Sequence, residues 1–236
     1  MTSPSSARTF DVRHVQLARA AFAALAAVMI TFSPDHSALV GMAVFSGFAI
    51  ATGLVELLAV WLVYPAGRRW PSAALGGVTI LAGMIGGLTP LRTITGFFSI
   101  VIAWALVSGA VELIAGLRGL RGPRARRELA PGVADIRPVA ETGPRSEARD
   151  GVVVGALGLL VGVALALVPS GYSLQYSIEE LHQPLTLTGI TIGVGLFGAY
   201  AAIVAVYLGI AGFSPRNAPA VTTAEASVPA DRKDSA

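Results

Sequence analysis

A chain of 236 residues that is 54% hydrophobic and only 13% charged, with mean hydropathy +0.69, carries too little charge to coat a soluble domain of its size. The absence of cysteine excludes disulfides, thiolate metal sites and thiol catalysis. Six stretches reach the roughly 20 apolar residues needed to cross a hydrocarbon core, at 16–32, 38–64, 72–89, 94–116, 151–169 and 186–212. No segment alternates as the strands of a membrane barrel do, so the expected class is an all-α integral membrane protein with six transmembrane helices.

Residues 1–15 are read as a cytoplasmic segment. Arg8 and Arg13 precede an Ala-rich run that a signal peptide would also show, but segment 16–32 shares its small-residue pattern with two later segments and is expected to be retained. The pair of spans over 16–64 is followed by a second pair over 65–117. Sliding the chain by 56 residues places Pro34 on Pro90, Gly53 on Gly109 and Glu56 on Glu112. A period near 50 that covers two apolar stretches marks a duplicated two-helix unit. A third, divergent pair occupies 151–212, with Pro169 matching the two earlier prolines and Gly198 matching Gly53 and Gly109.

Counted back from the prolines, positions −7 and −14 are small in every unit: Ala27 and Ala20, Gly83 and Gly76, Gly162 and Gly155. Seven residues make about two helical turns, so each pair lies on one stripe, where helix backbones can approach closely. Units of two spans all enter the membrane the same way, which predicts three parallel hairpins related about the membrane normal. The third unit has ten extra residues after Pro169, and Ala201 stands where the glutamate would be. The resulting outer loop, 170–185, is expected to be an ordinary solvated connection.

Between the second and third units, residues 118–150 hold eight arginines, five acids and scarcely any large apolar residue, the composition of a disordered loop. The tail 213–236 reads the same way. With the N-terminus inside, every basic residue except Arg92 falls on the cytoplasmic side, so the positive-inside rule places both termini in the cytoplasm of an inner-membrane protein. Arg118, Arg121, Arg124, Arg126 and Arg127 would attract anionic inner-leaflet lipid at about 1 kcal/mol per charge.

The candidate intramembrane acids are Glu56 and Glu112. An ionised carboxyl in a spanning helix costs on the order of 2.5–3.5 kcal/mol, so each must be paired, hydrogen-bonded, hydrated or protonated. One reading pairs each carboxyl with an Arg or Trp near the inner surface, or with backbone, and uses it to hold the units in register. The other lines a polar pocket with both and binds a proton or cation there. No other ionisable residue is expected at mid-membrane to complete a proton relay. At the outer side, His36 and His182 could titrate with external acidity. No motif for catalysis, a cofactor or a metal site is present, and no folded basic surface suits nucleic acid. The sequence leaves a homo-oligomer open.

The outer Pro34 and Pro90, with Gly53, Leu54, Val55, Glu56 and Leu57 against Gly109, Ala110, Val111, Glu112 and Leu113, resemble the HdeD-like family of small bacterial membrane proteins. The resemblance covers 16–117 well and 151–212 weakly. It implies repeated membrane hairpins and a non-enzymatic protein contributing to acid or envelope stress tolerance. The alternative expectation is a small transporter or channel using Glu56 and Glu112 as its proton or cation site.

Overall fold

The structure, a computed structural model, describes residues 10–65, 67, 69–121, 142–178 and 183–214. Six α-helices account for most of them: α1 Val12–Thr31, α2 Ala38–Leu62, α3 Trp70–Gly87, α4 Ile94–Arg121, α5 Thr142–Leu167 and α6 Gly189–Phe213. All six are long and apolar enough to cross a membrane. The turns between them are local chemistry. After α1, Pro34 and Asp35 lead into Ser37, whose hydroxyl accepts the Val40 N–H and caps α2. Pro71 stands in the first turn of α3, where its missing N–H is no loss. Pro90 lies in a short 3-10 turn, Thr89–Leu91, that ends α3, and Thr188 caps α6 by accepting from the Thr191 N–H.

Three expectations are corrected. The chain is not purely helical: Ser173–Ile178 (β1) and Gln183–Thr188 (β2) pair antiparallel, Ser173 opposite Thr188, as a two-stranded hairpin where a plain solvated loop was expected. Alternation of Leu174, Tyr176 and Ile178 with polar neighbours suits a strand, as does the β-branched Thr content of 183–188. The loop expected over 118–150 is shorter, because α4 continues to Arg121 and α5 starts at Thr142. Residues 145–149 (Arg, Ser, Glu, Ala, Arg) include strong helix formers that an apolar-length criterion does not see. Likewise α1 starts at Val12, so Arg13 and His14 are helical. Of the remaining expected loop and tail, 122–141 and 215–236 lie outside the described residues.

The helices form a ring in which each touches the next and α6 returns to α1. The closest contacts join α2 to α3, α4 to α5 and α6 to α1, all antiparallel, and they run through the small residues. A methyl added at Gly53 would lie 2.9 Å from the Gly76 carbonyl, and one at Gly76 would lie 2.9 Å from the Gly53 carbonyl. Gly109 would meet the Gly155 carbonyl at 2.9 Å, Gly162 would meet Leu106, and Gly198 would meet Ile30 at 2.7 Å. Only a missing side chain lets these backbones approach so closely. Ala20 and Ala27 are buried on α1.

Inside the ring, the half toward the β-hairpin is packed with Met42, Phe45, Phe97, Val101, Val194 and Phe197, all fully buried. Phe45 meets Trp104 and Phe197 edge to face at 5.2 and 5.6 Å, and Phe48 does the same at 5.8 and 5.7 Å. Such edge-to-face contacts satisfy the ring quadrupoles and fix the side chains against one another. The other half, where α1 begins and α6 ends, is polar.

Candidate site: a guanidinium clasp and its vestibule

Glu56 and Glu112 each sit at the end of a small-residue face on α2 and α4, three residues after Gly53 and Gly109. The glycines bring α3 and α5 close behind them and turn both carboxyls toward the ring's interior. There they meet Arg19 of α1. One guanidinium nitrogen, Nη1, lies 3.0 Å from Glu56 Oε1 and 2.8 Å from Glu112 Oε1. The side chains are 4%, 12% and 14% exposed for Glu56, Glu112 and Arg19, so the triad is largely shielded from outside. Ser72 of α3, Tyr64 just beyond α2 and Glu147 of α5 line the same cavity as the triad.

Arg19 engages both glutamates at once, where the sequence suggests a separate Arg or Trp for each. It stands 15 residues before Pro34, and the residues 15 before Pro90 and Pro169 are Leu75 and Val154. A charge at a position that is apolar in the two other units was the available signal. It was read instead as one more basic residue of the inner flank. The reverse exchange occurs on α6, where fully buried Ala201 takes the glutamate's place.

A cavity of about 260 Å³ opens onto the triad from the end of the bundle where α1 begins and α6 ends. Glu56 and Glu112 both line it, with Glu147 and Asp150 of α5 nearer its mouth. Among the described residues, Arg19 is the only basic one in its lining. Asp150 is held by two further helices: Gln16 Nε2 donates to it at 2.6 Å and the Tyr207 hydroxyl at 3.1 Å. Val12, Gly67, Trp70 and Gly119 form the rim, and Arg118 lies over the Trp70 ring at 5.9 Å. Four carboxyl side chains, those of Glu56, Glu112, Glu147 and Asp150, line the vestibule beside the Arg19 guanidinium. Each of those carboxyls already has a partner, so a cation binding there would compete with existing bonds.

The other expected residues are dispersed. Pro34, Pro90 and Pro169 follow α1, α3 and α5 at the opposite end, and His36 is half-buried in the turn between α1 and α2, far along the helices from the triad. His182 lies outside the described residues, as do Arg124, Arg126 and Arg127. Arg118 and Arg121 end α4 beside the vestibule mouth. No family model, no curated protein and no solved structure matches this chain.

Proposed function

We propose that the chain is a non-enzymatic, multi-pass inner-membrane protein of the HdeD-like type that contributes to acid or envelope stress tolerance. In this reading the helices form three parallel two-helix repeats with both termini in the cytoplasm, and the vestibule faces the cytoplasm. The observation that carries it is the clasp. Both repeat glutamates are engaged by a single arginine from the first unit, so their first use is to hold the units together. That arrangement suits a structural role for the acids. Closure of the far half by packed aromatic rings supports a body that endures in the membrane. The basic residues at the vestibule end support its inward orientation. A deletion strain should survive acid and envelope stress less well than its parent and recover with the intact gene. Equal survival of the two strains would remove the reading.

A second reading, a small transporter or channel with Glu56 and Glu112 as its proton or cation site, draws on one specific observation. The two glutamates share a single acidic vestibule instead of facing separate helix contacts. Proton or cation flux in reconstituted vesicles that is lost in the Glu56→Gln, Glu112→Gln double variant would favour it. Absent flux, or flux indifferent to those substitutions, would exclude it.

A further inference from the structure

Behind the contact of Arg19 with Glu112 lies a second, smaller cavity of about 20 Å³. Phe48 and Trp104 close it toward the aromatic half of the ring, while Arg19 and Glu112 belong to its wall and to the vestibule's alike. Most polar groups around it have protein partners. The Trp104 indole N–H donates to Thr79 Oγ1 at 3.3 Å, and the Ser108 hydroxyl donates to the Trp104 carbonyl at 2.6 Å. Two buried groups on residues that line it find none among the described residues: Arg19 Nε and Thr52 Oγ1. Thr52 is only 6% exposed and lines this cavity.

Burying a hydroxyl and a guanidinium N–H without partners carries the full desolvation cost of each, which native interiors rarely leave uncompensated. The Arg19 Nε–H can only donate, whereas the Thr52 hydroxyl can donate or accept. An inorganic cation placed between them would sit against the guanidinium, and a halide would sit against the Glu112 carboxylate. A neutral molecule that accepts one bond and donates others meets neither repulsion. Water needs on the order of 10–15 Å³ and two to four polar partners, and this cavity offers both.

We infer that the inner cavity is a binding site for one structural water, which accepts the Arg19 Nε–H, donates to Thr52 Oγ1 and has Glu112 and Thr79 as further neighbours. The water completes the guanidinium on the side away from the vestibule. It thereby makes Thr52, four residues before Glu56 on the same helix, a positioning residue for the clasp. The site needs only the geometry of the triad and is independent of the stress-tolerance and transport readings.

The test uses the purified full chain in detergent with Thr52→Val, which keeps the shape and removes the hydroxyl, and Thr52→Ser, which keeps the hydroxyl. Thr52→Val should lower the unfolding midpoint by about 2–4 °C relative to the intact protein. A midpoint for Thr52→Val equal to or above that of the intact protein would overturn the site, because removing an unpartnered hydroxyl from a dry cavity is neutral or stabilising. Infrared difference spectra between ordinary and heavy-oxygen water provide the second measurement. The intact protein should show the shifted O–H stretch of an enclosed water, retained in Thr52→Ser and lost in Thr52→Val. Its absence from the intact protein would overturn the proposal even if neither variant folds.

Discussion

The same six helices enclose two cores that are held together by opposite means. Toward the β-hairpin the ring is filled by Phe45, Phe48, Phe97, Trp104 and Phe197, apolar groups whose contacts are many and individually weak. Toward the other end it is held by Arg19, Glu56 and Glu112, where two short charged contacts connect three helices. The aromatic half tolerates error in any one contact because its energy is spread over the surface. The polar half does not, since removing one partner leaves another buried and unpaired. A buried ion cluster is also a poor source of net stability, because desolvation offsets most of its attraction. Its distinctive contribution is to specify which helices meet: Arg19 reaches α2 and α4 together only when α1 lies between them in one register.

Substitutions in the two halves should therefore fail differently. Arg19→Leu carries the largest expected effect, about 3–5 kcal/mol of unfolding free energy, since it leaves two carboxyls buried without their cation. Denaturant unfolding of the purified protein measures it. Phe45→Ala should cost a similar amount, about 3–5 kcal/mol, by opening a cavity among the rings. The halves separate on rescue: neutralising Glu56 and Glu112 should restore the Arg19 variant but destabilise the Phe45 variant further, because Arg19 there loses both of its partners. If the glutamine changes rescued both, the two cores would not be distinct.

The helix contacts rank next. Gly109→Leu forces a side chain against the Gly155 carbonyl and the Leu159 N–H, 2.8 Å from where its Cβ would begin, and should cost about 1–3 kcal/mol or more by overpacking. Gly195 has open space around it, and Gly195→Leu should leave the unfolding midpoint unchanged. Equal losses at the two positions would mean that close backbone approach is not what makes Gly109 necessary. Smallest is Ser46→Ala. Its hydroxyl donates to the Gly83 carbonyl at 2.6 Å, and the loss should be about 1 kcal/mol in the same assay.

What the sequence made legible follows from the length scale of each signal. Apolar runs of about 20 residues and a shift of 56 exposed the six spans, the three prolines and both glutamates, because those patterns repeat. Arg19 was hidden for the opposite reason: it occurs once, where Leu75 and Val154 are apolar, and nothing local distinguishes a flanking arginine from a clasping one. The antiparallel hairpin was missed because its strands are six residues each and lie in an insertion with no counterpart in the other units. The helical start of α5 was missed because Arg145, Glu147 and Arg149 favour helix by propensity while adding no apolar length. The close packing of α6 on α1, which closes the ring, joins the two ends of the sequence and leaves no local mark there at all.

Whether Arg19 acts as one clasp on two acids is tested most directly by comparing the unfolding free energies of Arg19→Leu, of Glu56→Gln with Glu112→Gln, and of all three changes together. A shared clasp predicts that the triple variant recovers most of the stability lost in Arg19→Leu, because no buried charge is left without a partner. A triple variant whose loss equals the sum of the other two would contradict it, and would reduce the three side chains to neighbours that happen to touch.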